Sequence, residues 1–131
     1  MARYVDPTLQ LVTEVLVRDI RRSTDFYTSL GFELKRDGGD FVELGWGNSF
    51  LYLAEESAFP EGDQLAPPTA APFPPGNVRV MVADVDACWK RAQEIGASVA
   101  VPIGDRYYGL RDFTIRDPDG FGLRFASFLS E

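Results

Sequence analysis

Apolar positions run in two different periods along this chain, and the switch between them occurs twice. From Leu9 to Val17 the pattern alternates, with Thr13, Val15 and Val17 on one side and Val12, Glu14 and Leu16 on the other. That two-residue period predicts a strand. After Asp19 the period lengthens: Ile20, Ser23, Thr24, Tyr27 and Leu30 recur at helical spacing. Asp19 is placed to cap that helix, because its carboxylate can accept an otherwise unpaired N–H of the first turn. Gly31 is placed to end it in a left-handed conformation. Phe32–Arg36, Phe41–Gly45 and Phe50–Ala54 then read as three strands, joined by turns at 37–40 and 46–49 that are rich in Gly, Asp and Asn.

Sixty-five residues later the same order returns. Asn77–Val82 is a strand with Val78, Val80 and Val82 on one face, Asp84 matches Asp19, and Gly96 matches Gly31. Val85, Cys88, Trp89, Ala92 and Ile95 fall on the five helical core positions of the first copy. Strands at Ala97–Pro102, Leu110–Arg116 and Phe121–Phe128 follow, with Asp117-Pro118-Asp119-Gly120 as the last turn. Internal duplication in a short chain fixes architecture. The expected fold is α+β, two tandem βαβββ modules (9–54 and 77–128) in one 1–131 domain, with curved mixed sheets around a concave cup. Between them, 55–76 carries six prolines and reads as a linker.

If the β-branched rows, joined by Phe113, Ile115, Leu123 and Phe125, lie under the helices, the opposite faces are mixed. They carry Val12, Glu14, Leu16, Phe41, Glu43, Phe50 and Tyr52 in the first half. In the second they carry Asn77, Arg79, Met81, Asp112, Thr114 and Arg124. Aromatics beside both signs of charge describe a partly apolar pocket. The competing reading is structural: Glu14, Arg79 and Arg124 as mutual ion pairs holding the sheets in register. Trp89 and Cys88 read as core packing.

Composition narrows the partners. A formal charge of −7 argues against nucleic acid, which needs clustered Lys and Arg. No apolar run reaches membrane-spanning length. The single cysteine, Cys88, fits a reducing compartment. Residues 1–10 show no apolar signal-peptide core, so a cytoplasmic location is expected.

Two strand–Asp–helix modules closed by an Arg-Asp-Pro-Asp-Gly hairpin (116–120) resemble the vicinal-oxygen-chelate superfamily, which includes glyoxalase I, extradiol dioxygenases, fosfomycin-resistance enzymes and bleomycin-resistance proteins. The stretches that carry the likeness are Val17–Phe32 and Tyr108–Gly120. Enzymes of that superfamily hold a divalent metal with His and Glu or Gln at four equivalent strand positions. Here those positions fall on Val12, Tyr52, Asn77 and Arg124, and the chain has no histidine. Valine offers no donor atom and arginine is a fixed cation, so no metal and no cofactor are expected. Glu14, Glu43 and Asp112 would suit a hard cation only, and their spacing does not specify one.

Among these proteins the pattern is most similar to the metal-free bleomycin-resistance type. That likeness implies a homodimer that sequesters a small-molecule ligand, such as an antibiotic. The expected ligand-binding set is Glu14, Phe41, Glu43, Trp46, Phe50, Tyr52, Arg79, Tyr108, Asp112 and Arg124. For Tyr107 and Tyr108, loop anchoring is an equal alternative. The cup arginines, Arg79 and Arg124, would suit an anionic ligand better than a cationic drug. The alternative function is an enzyme, a metal-free isomerase or lyase with Glu14 or Glu43 as base, Tyr52 as acid and Arg124 beside an oxyanion.

Overall fold

The computed structural model describes residues 10–55, 74 and 76–129, in two compact units that divide at Leu65 and Ala66. The first unit runs β1 (Glu14–Val17), α1 (Ile20–Ser29), β2 (Glu33–Asp37), β3 (Phe41–Trp46) and β4 (Ser49–Glu55). Its sheet has the order β1-β4-β3-β2, with β1 parallel to β4 and the other pairs antiparallel. The second runs β5 (Asn77–Met81), α2 (Val85–Glu94), β6 (Ser98–Asp105), β7 (Leu110–Arg116) and β8 (Gly122–Phe128). Its order is β5-β8-β7-β6, again with the outer pair, β5 and β8, parallel. These are two βαβββ modules, each a four-stranded mixed sheet with one helix, as the repeat requires. The proline-rich stretch expected to be a linker lies outside the described residues, apart from Pro74, Gly76 and Glu55, which ends β4.

The matched aspartates do the same work in both halves. Asp19 and Asp84 have extended backbones, and their carboxylates accept from Arg22 N and Ala87 N, each at 3.1 Å. In the first unit Glu55 adds a second acceptor, taking the Ile20 N–H at 3.1 Å. Both helices end at a glycine with positive φ, 113° at Gly31 and 70° at Gly96. At Gly31 a Cβ would also come within 3.1 Å of the Trp46 ring, so side-chain bulk is excluded there as well as conformation.

Each helix covers the aliphatic face of its own sheet. Val15, Val17, Val42, Leu44, Leu51 and Leu53 are buried in the first unit, with Tyr27 of α1 fully buried and edge-on to Phe32 at 5.3 Å. In the second, Val80, Phe113, Ile115, Leu123 and Phe125 are buried, and Trp89 of α2 meets Phe113 at 5.1 Å. Cys88, half-buried on the same helix, is pushed up in pKa by burial and then by Asp84, so it stays a thiol. Fully burying each large apolar side chain is worth roughly 1.5–3 kcal/mol, which makes these two rows the main stabilising layers.

Several boundaries differ from expectation, most by a single residue. The first strand begins at Glu14, and Thr13 is exposed and outside the covered row, although its carbonyl still accepts from Tyr52 N at 3.0 Å. β6 continues past Pro102 to Asp105, because it is an edge strand where proline's missing N–H is tolerated and its register shifts twice. The last turn is tighter than its composition suggests. Buried Asp117 accepts from both Asp119 N and Phe121 N at 2.9 Å, so one carboxylate satisfies two turn amides.

The caps give a direct test. Asp19→Ala and Asp84→Ala should each lower unfolding free energy by about 1 kcal/mol, with an unchanged m-value in urea titrations.

Candidate functional site

The face of each sheet turned away from its helix carries the polar residues, and cross-strand register sorts them into rows. In the first unit Glu14 is paired with Tyr52, Tyr52 with Glu43, and Glu43 with Arg36. The Tyr52 hydroxyl donates to Glu43 Oε2 at 2.6 Å, and Arg36 Nη2 lies 3.8 Å from the same oxygen. Tyr52 itself is buried, 1% exposed. Phe41 and Phe50 flank this row on the same face, and the Arg36 guanidinium sits 5.2 Å from the centre of the Phe41 ring. The aromatic and acidic positions expected to share a face with Tyr52, namely Glu14, Phe41, Glu43 and Phe50, do so.

Trp46 does not. It stands an odd number of residues from Glu43 and so turns to the helix side with Val42 and Leu44, where its ring meets Phe32 at 5.0 Å. Trp46, expected among the ligand contacts, packs on that side beneath Gly31.

In the second unit a single buried carboxylate organises the face. Asp112 is 1% exposed. Its Oδ1 accepts from Arg106 Nε at 2.7 Å, and its Oδ2 accepts from the Tyr108 hydroxyl at 2.6 Å and from Arg124 Nη2 and Nε at 2.7 and 3.1 Å. Arg124 Nη2 also reaches the Tyr108 hydroxyl oxygen, and the Arg124 guanidinium lies 5.5 Å from the centre of the Tyr108 ring. Burial alone would raise the Asp112 pKa, but the bonds from Tyr108, Arg106 and Arg124 outweigh it and hold the carboxyl below its usual range. Tyr108 moves the opposite way, raised by desolvation and by its bond to Asp112, so it stays a neutral donor.

Local sequence explains the geometry. Arg106, Tyr107, Tyr108 and Gly109 form the β6–β7 turn, closed by Arg106 N to Leu110 O at 2.7 Å, with Gly109 at φ 88°. The turn brings Arg106 and Tyr108 back over Asp112. Gly104 leaves room for this, since a Cβ there would meet Arg106 Nη1 at 3.2 Å. Tyr107 is fully exposed and touches Tyr108 edge-on at 5.2 Å. Arg79 is exposed and is the cross-strand partner of Arg124. Arg111 turns the other way and pairs with Asp86 and Asp105 at 2.9 and 3.0 Å, an exposed contact worth little by itself.

Two participants were missed in the sequence, Arg36 and Arg106. A register shift between Leu34 and Arg36 sets Arg36 opposite Glu43, where regular pairing would have set it opposite Val42. Arg106 reaches Asp112 only because the turn folds back, which the spacing of six residues does not announce.

The family model of the Glyoxalase/Bleomycin resistance protein/Dioxygenase superfamily matches residues 9–125. The chain belongs to this superfamily. None of the curated proteins matches the chain. Among solved structures, TioX from Micromonospora sp. ML1 is 25% identical with a TM-score of 0.72, over 91% of this chain and 98% of that one. A protein of unknown function from Agrobacterium tumefaciens is 26% identical with a TM-score of 0.72, over 96% and 98%. A bleomycin resistance determinant encoded on the transposon Tn5 is 18% identical with a TM-score of 0.68, over 94% and 100%, a likeness of fold.

The superfamily's four metal positions do not fit an ion in this member. Val12 has no donor atom, and the Tyr52 hydroxyl is committed to Glu43. Arg124 is a cation already bound to Asp112. Asn77 alone offers a neutral oxygen, too little for a transition-metal or zinc site.

Asp112→Asn should cost about 3–5 kcal/mol, since it strands two guanidiniums beside a buried amide. Because folding lowers the Asp112 pKa, its stabilisation is complete above the ordinary value of about 3.9 and is lost as pH falls through the lowered one. Urea unfolding as a function of pH should therefore show a steeper acid limb for the wild type than for Asp112→Asn.

Proposed function

We propose that this protein is a metal-independent binder that sequesters a small molecule, with antibiotics the first class to test, and that it works as a cytoplasmic homodimer. One observation carries the reading. At the strand position where the superfamily places its last metal ligand, this chain holds Arg124, and builds it into a hydrogen-bonded cluster with Asp112, Tyr108 and Arg106. A fixed cation held by a buried carboxylate is a binding group and an ion-repelling one. The proposed ligand contacts are Glu14, Phe41, Glu43, Phe50 and Tyr52 in the first unit, and Arg79, Tyr108, Asp112 and Arg124 in the second. The Tn5 bleomycin resistance determinant, similar in fold, supports the drug-binding class. Among the described residues, no helix is long and apolar enough to cross a membrane.

A second reading draws on the 2.6 Å bond between Tyr52 and Glu43. A phenol and a carboxylate at that distance suit proton transfer in a metal-free isomerase or lyase. It differs from the first by requiring turnover.

Thermal-shift and calorimetric titrations with bleomycin-type drugs and aromatic metabolites, with and without chelator, separate the readings. Saturable stabilisation that is indifferent to EDTA, with the ligand recovered unchanged, is the expected result. A rise of several degrees in Tm with Zn²⁺, Ni²⁺ or Mn²⁺, abolished by chelator, would overturn metal independence. Chemical conversion of a bound ligand would favour the enzyme.

A further inference from the structure

The face of the second sheet turned away from α2 is cationic, against the sign of the chain as a whole. Asp112 is the one carboxylate among the described residues on this face of β5, β7 and β8, set against Arg79, Arg116 and Arg124. Arg106 adds a further guanidinium from the turn. Asp112 can neutralise only one of these, and it is already shared between Arg106 and Arg124.

Two donor groups remain uncommitted. Arg79 is exposed and makes no hydrogen bond or ion pair among the described residues. Arg124 spends Nε and Nη2 on Asp112 and Tyr108, which leaves Nη1 without a partner among them. The two arginines are direct cross-strand partners, on strands about 4.8 Å apart. Like charges so placed destabilise a sheet unless a counter-charge joins them. Beside them the surface turns apolar. Met81 is 42% exposed and paired with Ala126, and Phe128, two residues further along β8, is 80% exposed.

We propose that this face takes an anionic ligand, a carboxylate carried on an aromatic or apolar body. The oxyanion sits on the guanidiniums of Arg79 and Arg124, and the body lies over the exposed Met81 and Phe128. The inference rests on the reading of the chain as a small-molecule binder and adds the charge and shape of what it binds. Arg124 is held in advance by Asp112 and Tyr108, so a planar oxyanion meets an oriented donor. Arg79 supplies the second cation and is free to close on it.

The test compares three near-isosteric probes by isothermal titration calorimetry: naphthalene-1-acetate, its neutral amide, and 2-(naphthalen-1-yl)ethylamine. The acid should bind about tenfold or more tighter than the amide, and the amine weakest. Arg79→Gln should lower the acid's affinity about tenfold, leave the amide's unchanged, and leave Tm equal or higher because a like-charge pair is gone. Equal affinities, a preference for the amine, no binding of the acid up to about 10 mM, or an unaltered acid affinity in Arg79→Gln would overturn the anion site. Chelator-indifferent binding of the amine that is tighter than that of the acid would sink this inference while leaving the binder reading standing. A chelator-sensitive rise in Tm with Zn²⁺ would instead overturn the metal independence of the proposed binder.

Discussion

The parallel pairing of the first and last strand in each unit is the constraint from which the rest follows. β1 lies beside β4, and β5 beside β8. Parallel neighbours cannot be joined by a tight turn, so a helix must carry the chain between the ends of the sheet and pack against one face. That helix claims Val15, Val17, Val80, Phe113 and Phe125 for the interior. The opposite face is left for chemistry. Its polar rows are thus a by-product of topology before they are anything functional.

Within that frame the two units diverge in charge while keeping the same capping and the same strand order. The first carries Glu14 and Glu43 around Tyr52, answered by Arg36. The second carries Asp112 surrounded by arginines, with Arg106 and Arg124 bound to it directly. Buried Asp112 is the costlier arrangement, since a carboxylate shielded from water is tolerated only when nearly every lone pair is satisfied. Arg106, Arg124 and Tyr108 meet that condition together, which explains why the β6–β7 turn must fold back as it does.

How much of this could be read in the sequence depended on whether the signal was periodic. The Asp19/Asp84 caps, the Gly31/Gly96 ends and the aliphatic rows were legible because each repeats at a fixed offset and has one physical cause. The side taken by Trp46 was not read, because the residue was counted to a turn although it closes β3. Arg36 and Arg106 were not legible. One depends on a bulge and the other on a turn, and both are irregularities of backbone path that no side-chain pattern encodes. The site's polar core was visible in Asp112 and Arg124, whereas the groups that orient it were not.

The two indoles have a practical consequence. Trp46 meets Phe32 at 5.0 Å and Trp89 meets Phe113 at 5.1 Å, one in each unit and both on the helix side. Neither faces the rows where a ligand would bind. Intrinsic emission is therefore a gauge of packing in each half separately, and single-tryptophan versions of the chain would show whether the duplicated halves melt as one cooperative body or as two.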